Sequence, residues 1–357
     1  MEIAKVLHMI GGVGETSYDN DSSTPRKLTS MTGPIAKEAI TALYSSISPS
    51  PSTLGIADLW RSAGANALFS VSELIKAVEN MRHNNNEPLA SQIFLNDLPG
   101  IDFNPVFRAL PKFQKEKGRC FFAGVPGSFH DRLFPNKFLH FIHSSYILRF
   151  LSQVPEGIEC NKGNISMASN SPPRVIDACH RQFQNDFLAF LKNRAQELVP
   201  GGRMVITFMG RRGKDPWNPE WELLAAALNE MVSEGLIEEE KVDMFNILHY
   251  KPCPSDVEAE VLKEGSFSID RLEVSGPDWI AIDKEFGQRS NREDEEVGVY
   301  GTMRCMRAVA EPMLISHFGE GIMEDLFHRY RLVIIQQIAK EKTELINVTV
   351  SPTRRPA

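Results

Sequence analysis

The chain of 357 residues carries 39 Lys and Arg against 46 Asp and Glu, a formal net charge of −7, with 42% hydrophobic and 24% charged residues. That composition is a globular one, and an acidic chain with scattered basic residues lacks the basic stripe of a nucleic-acid binder. Five widely spaced cysteines with no Cys-x-x-Cys pair argue for reduced thiols in a cytoplasmic protein, and no apolar run approaches the roughly 18 residues of a membrane span.

The first thirty residues are polar, include Gly11-Gly12-Val13-Gly14, and read as a lid segment. Pro34 to Ser46 predicts a helix with proline in its first turn. There follow strand 54–59, helix 66–82, strand 92–96, helix 104–113, strands 120–125 and 139–145, helix 175–198 closed by Pro200-Gly201-Gly202, and strand 203–208. Strands alternating with helices of this length imply a largely parallel sheet covered on both faces. After Met209 the period turns helical over 221–234, 255–264, 297–316 and 320–341, interrupted by a strand-like run at 266–273. A late apolar strand, Leu345 to Val350, is expected to return to the sheet edge. The expected division is a lid (1–30), an α/β core (31–209), a mainly helical cap (210–340), and a returning strand with a tail (341–357).

The run from Ile56 to Asn66 reads as strand, tight turn and helix, the arrangement that opens a nucleotide-cofactor site. Its partner, Gln92 to Asp97, is a second apolar strand ending on an acid suited to ribose hydroxyls. Taken alone, Asp97 equally suits a helix cap in Asp97-Leu98-Pro99. Trp60 and Arg61 stand where a ligand passing close to the chain favours glycine or another small residue. His140 and His143, three apart in a strand, face opposite sides and read as satisfied core or surface residues. Met303, Met306, Met313 and Met323 recur at helical spacing and read as cap core, with one of the first two at the edge of a pocket. No Ser-His-Asp or Cys-His arrangement is legible.

Several motifs in order then carry a resemblance over nearly the whole chain. They are Val6-Leu7-His8-Met9 with Gly11-Gly12, Gly14-Glu15-Thr16-Ser17-Tyr18, Phe94-Leu95-Asn96-Asp97-Leu98-Pro99 and Gly124-Val125-Pro126-Gly127-Ser128-Phe129. His143-Ser144-Ser145-Tyr146, Leu151-Ser152-Gln153-Val154-Pro155, Asn161-Lys162-Gly163-Asn164 and His317-Phe318-Gly319-Glu320 extend the set. Together they resemble the plant SABATH methyltransferases, nearest to the salicylate, benzoate and jasmonate carboxyl methyltransferases. The resemblance implies S-adenosyl-L-methionine (SAM) as methyl donor, a small carboxylic acid as acceptor, a Rossmann-like seven-stranded sheet with an α-helical cap, and a homodimer without nucleic-acid or membrane partners. It implies cofactor contacts at Tyr18, Asp58, Arg61, Asn66, Asp97, Leu98, Ser128 and Phe129, and an acceptor pocket shaped by Tyr146, Arg149, Phe150 and Trp221. It also implies an optional magnesium site at Asn161, Asp243, Phe245 and Asn246; a hydrogen-bonded loop without an ion reads equally well.

The chain departs from the family pattern at the reacting end. The family's carboxylate-gripping Gln falls at Pro25, its basic or amide residue at Ile10, the pair that includes a donating Trp at Arg149-Phe150, and a late pocket Phe at Leu345. The glycine and cysteine of the cofactor turn fall at Trp60 and Arg61. Losing two donors to a buried carboxylate costs about 1.5–3 kcal/mol each. Salicylate is therefore not the expected acceptor, unless the Arg149 fork compensates; the competing expectation turns Arg149 outward or pairs it with an acid. Two functional readings remain: an active carboxyl methyltransferase with an altered pocket and turn, or a weak or inactive paralogue serving as a dimer partner or small-acid binder.

Overall fold

The computed structural model describes residues 23–47, 51–59, 65–85, 90–117, 120–216, 218–276, 294–338 and 344–356. In chain order the elements are α1 (Ser23–Ser46), β1 (Thr53–Leu59), α2 (Ala65–Asn85), β2 (Ala90–Asp97), α3 (Asn104–Lys117), β3 (Cys120–Pro126), β4 (Leu139–Ser145), α4 (Pro173–Glu197) and β5 (Leu198–Met209). Then come α5 (Pro219–Ser233), α6 (Glu239–Met244), α7 (Pro254–Glu264), β6 (Phe267–Ser275), α8 (Asp294–Phe318), α9 (Met323–Ile338) and β7 (Asn347–Arg354).

The seven strands form one sheet in the order β3-β2-β1-β4-β5-β7-β6. β3 through β5 run parallel, while β7 is antiparallel to both β5 and β6. Central strands buried on both faces need apolar residues at successive positions. β1 meets this demand: Leu54 and Ile56 enter the core with α1 and α2, whereas Ala57 and Leu59 enter the opposite core with α4. A third core joins α5, α8 and α9 with Tyr146 and Phe150. The chain order reverses between β1 and β4, and in such sheets the ligand crevice lies outside the carboxyl ends of the strands at this point.

Three elements differ from expectation. α1 begins at Ser23, eleven residues before Pro34, so 23–30 are helical. Pro34 lies on its exposed face, and the buried stripe Thr32, Ile35, Ala36, Ala39, Ile40 and Leu43 carries the helix past the proline. β5 starts at Leu198, not 203; Gly201, at φ 77°, lies within a register shift between the Leu139 and Phe141 pairings. β7 is interior rather than an edge strand, because β6, the short run at 266–273, takes the edge.

Aromatic packing binds α4 to the sheet. The Phe187 ring lies 5.6 Å from Phe183, 6.2 Å from Phe190 and 5.3 Å edge-on from Phe208 of β5. Phe187→Ala is expected to lower unfolding stability by about 3–5 kcal/mol in urea denaturation, through lost burial and the cavity left behind.

Candidate active site

β1 delivers Asp58 to the crevice. In register it stands between Leu95 of β2 and His143 of β4. Its side chain is wholly buried, and Oδ1 lies 2.7 Å from His143 Nδ1. His143 Nε2 in turn lies 3.2 Å from the Ser145 hydroxyl, two residues on and therefore on the same strand face. With Nδ1–H donating to the carboxylate, Nε2 accepts from Ser145, which fixes the imidazole tautomer and the Asp58 rotamer. His143 is a satisfied core histidine, as its sequence position suggests, but what it satisfies is a crevice carboxylate. Among the described residues Asp58 Oδ2 is buried without a partner, an acceptor left over. Buried carboxylate oxygens are costly unless something donates to them, so a cationic or N–H-bearing ligand group fits here.

Beside it, β2 and β3 form a shelf. Asn96 Nδ2 donates to the carbonyls of Val125 (2.8 Å) and Gly127 (3.0 Å), and the Gly127 N–H donates to the Asp97 carbonyl (2.9 Å). Asp97 Oδ1 accepts the Leu98 N–H at 2.7 Å. Asp97 caps no helix: α3 begins at Asn104, whose N–H goes to Asp102. Ser128 Oγ accepts the His130 N–H, and Phe129 is buried. Asp58, Asp97, Leu98, Ser128 and Phe129 thus stand at or just beyond the carboxyl ends of three adjacent strands. Asn66 is the second residue of α2, the helix that follows β1 in the chain. Tyr18, Ile10, Trp60 and Arg61 lie outside the described residues, as does the side chain of Pro25 in the first turn of α1.

A buried ion pair on α4 holds the loop after β3. Arg194 donates to the carbonyls of Phe129 (3.2 Å) and Asp131 (2.7 Å), while Glu197 accepts the N–H groups of Leu133 (2.7 Å) and Phe134 (3.1 Å). The two side chains meet at 2.8 Å, both 0% exposed. Neither was singled out from the sequence, although the stripe Phe183, Phe187, Phe190 and Arg194 predicts a buried position for the arginine.

The other wall of the crevice comes from the cap. Tyr146, Phe150, Trp221, Met303, Met306 and Leu345 share one apolar cluster. Tyr146 follows β4 at φ 64°, a left-handed conformation costly for an aromatic residue, with its N–H held by the Thr207 carbonyl at 2.7 Å. Arg149 is half-buried: its guanidinium lies 5.1 Å from the Phe150 ring centroid and donates to Met209 Sδ at 2.9 Å. Arg149 thus lies along the apolar wall.

Of the side-chain oxygens expected at the optional magnesium site, those of Asp243 and Asn161 are engaged within the protein. A hard cation needs unengaged oxygen donors. The sole carboxylate of the set, Asp243, meets Lys162 Nζ at 2.8 Å and the Gly163 N–H at 2.9 Å, and the ammonium holds its pKa below the ordinary range. Asn161 Oδ1 accepts the Ser171 hydroxyl at 2.6 Å, Phe245 is buried beside His317 and Phe318, and Asn246 keeps one unpartnered oxygen. Among the described residues no group of three His, Cys, Asp or Glu could hold a metal. The four residues build a hydrogen-bonded loop pinned by Lys162.

Arg194→Met leaves Glu197 buried and uncompensated, and is expected to cost about 3–5 kcal/mol in urea denaturation, whereas the paired replacement Arg194→Met with Glu197→Leu recovers much of that loss.

The comparisons agree with this architecture. The family model described as SAM dependent carboxyl methyltransferase matches residues 4–355. Salicylate carboxymethyltransferase of Clarkia breweri is 56% identical over 362 residues, covering 99% of each chain. A benzoic acid/salicylic acid carboxyl methyltransferase of Petunia hybrida is 51% identical over 367 residues, and jasmonate O-methyltransferase of Arabidopsis thaliana 42% over 369. Among solved structures, loganic acid methyltransferase with SAH matches at a TM-score of 0.82 and 30% identity, covering 98% of this chain and 99% of its own. The chain belongs to the SAM-dependent carboxyl methyltransferases of the SABATH family.

Proposed function

We propose that the crevice holds SAM along the β1–β2–β3 shelf and presents its methyl to the carboxylate of a small, flat, largely apolar acid lodged against the cap. The observation that carries this reading is the buried, unpartnered Asp58 Oδ2 at the head of a shelf of ribose-suited groups. Asp58 would receive the donor's amino group, Asp97 the ribose hydroxyls, and Ser128 with Phe129 the adenine; Asn66, Leu98, Tyr18 and Arg61 complete the proposed contacts. SAM supplies a sulfonium methyl. The protein need supply no strong base, because a carboxylic acid is already ionised at neutral pH.

What remains is to hold one carboxylate oxygen in line with that methyl and to exclude water. Positioning of this kind is worth about 7–11 kcal/mol of barrier. Tyr146, Phe150, Trp221 and Leu345 offer the apolar wall, and Arg149 the nearby positive charge. Benzoate-, salicylate- and jasmonate-like acids, the acceptors named for its relatives, define the class to try. The absence of a disulfide among the five cysteines supports a reducing, cytoplasmic setting, and the family resemblance supports a homodimer. Among the described residues no helix is long and apolar enough to cross a membrane.

With methyl-labelled SAM and a panel of such acids, label should appear in a base-labile methyl ester. Binding of SAH without ester formation from any acid would favour the inactive-paralogue reading. Asp58→Asn should raise the SAH dissociation constant by about 10- to 100-fold in calorimetric titration, the worth of one hydrogen bond to a charged group. Turnover should be unchanged by EDTA, given the engaged Asp243; a requirement for added magnesium would contradict that expectation.

A further inference from the structure

The end of the sheet opposite the crevice carries a pocket of about 460 Å³. It lies at the amino ends of β4 and β5, beside the last residue of α7 and the last residue of β7. The crevice, by contrast, lies outside the carboxyl ends of β1 and β4. A volume of that order suits a small molecule. Ala195, Leu198 and Pro200 contribute apolar surface, and the rest of the lining is polar.

That polar lining is mostly donor. The Arg132 guanidinium, which can only donate, meets Gln196 Oε1 with Nη1 and Asn136 Oδ1 with Nη2. Both amide oxygens are thereby fixed on Arg132, and the two NH2 groups are left as donors without a partner among the described residues. Lys137 and Lys192 are exposed, and neither ammonium meets a carboxylate or carbonyl among the described residues. Arg354 gives Nε to the Ala195 carbonyl (2.9 Å) and Nη1 to the Ser266 carbonyl (3.1 Å), which leaves Nη2. The one carboxylate of the described lining, Glu264, accepts the Ser266 N–H at 2.8 Å.

α4 ends at this pocket, and an open helix C-terminus repels anions. The repulsion is blunted because its last carbonyls are taken: Gln196 by the Lys137 N–H and Glu197 by the Phe138 N–H, both at 2.8 Å, and Ala195 by Arg354. The first of these bonds pins Lys137 to the pocket wall in the left-handed region at φ 53°, a conformation uncommon for lysine. Three cationic side chains and two amide donors thus share one pocket with a single, engaged carboxylate, in a chain whose net charge is −7.

We infer that this pocket binds a small organic phosphate, a phosphomonoester whose head takes the ammonium and amide donors while its body lies over Ala195, Leu198 and Pro200. A phosphate head offers three strong acceptor oxygens and close to two negative charges to donors arriving from separate side chains. A monocarboxylate offers two oxygens and one charge. A bare oxyanion would leave most of the volume and the apolar surface unused. The site is independent of the donor and acceptor readings above: SAM and SAH carry no phosphate, and the pocket lies at the other end of the sheet.

The test is calorimetric titration of the full chain at low ionic strength with monobutyl phosphate, inorganic phosphate and butanol. Monobutyl phosphate should bind with one-to-one stoichiometry and more tightly than inorganic phosphate, and butanol should not bind. Lys137→Asn combined with Lys192→Gln should weaken the ester by about 10-fold or more, the worth of one hydrogen bond between charged groups, while SAH affinity stays unchanged. Asparagine is the replacement at 137 because it tolerates the left-handed backbone. If the pair fails to fold, Lys192→Gln alone carries the same comparison. Undiminished binding of the ester by these variants overturns the inference, as does absence of binding by wild type. Inorganic phosphate binding as tightly as the ester overturns it too.

Discussion

The 2.7 Å contact between His143 and Asp58 closes the seam on which the rest of the site depends. β1 and β4 are the strands where the sheet order reverses, so the crevice exists because these two strands lie side by side with their helices on opposite faces. A carboxylate buried at the end of β1 would be expensive alone. His143 and, behind it, Ser145 make it tolerable by satisfying one oxygen and fixing its direction. The second oxygen is left over among the described residues, and the strands to either side end on Asn96, Asp97 and the Ser128 turn on one side and on the left-handed Tyr146 on the other. Order at the ligand end therefore follows from one polar pair in an otherwise apolar sheet.

Support for that geometry comes from behind. The Arg194–Glu197 pair ties α4 to the loop carrying Ser128 and Phe129 through four backbone groups. A buried pair is weak evidence for stability in itself but a strong determinant of local conformation once its partners are backbone atoms. The aromatic stack of Phe183, Phe187 and Phe208 holds the same helix against β5. The shelf is thus tied to α4, whereas the proposed acceptor wall comes from the separate cap core. Change at the acceptor wall can therefore proceed without disturbing the shelf, and the unusual residues at Arg149, Phe150 and Leu345 all fall on that cap-side wall.

Much of this was legible in the chain. Apolar runs at strand spacing located the five parallel strands because both faces of the sheet are covered, and Asp97 followed as a strand-end acid, whereas Asp58 and Ser128 came from the family resemblance. The start of α1 was missed because Pro34 imitates a helix N-terminus while the buried stripe runs on past it. β7 was misplaced because an interior antiparallel strand and an edge strand have the same local pattern. Asp243 came as an optional metal ligand from the family resemblance, and sequence spacing does not reveal that Lys162 folds onto its carboxylate. The turn at Trp60 and Arg61, the oddest local feature of the sequence, is framed by β1 ending at Leu59 and α2 starting at Ala65.

The central claim is spatial: the proposed donor-binding shelf at the ends of β1, β2 and β3 faces the proposed acid-binding wall formed by Tyr146, Phe150 and Trp221. A crystal structure of the chain with SAH and benzoate tests it most directly. The account predicts the SAH amino group on Asp58, its ribose on Asp97, and the benzoate ring among those aromatic side chains with its carboxylate toward the SAH sulfur. SAH seated away from Asp58 and Asp97, or benzoate bound outside the cap-side wall, would contradict it.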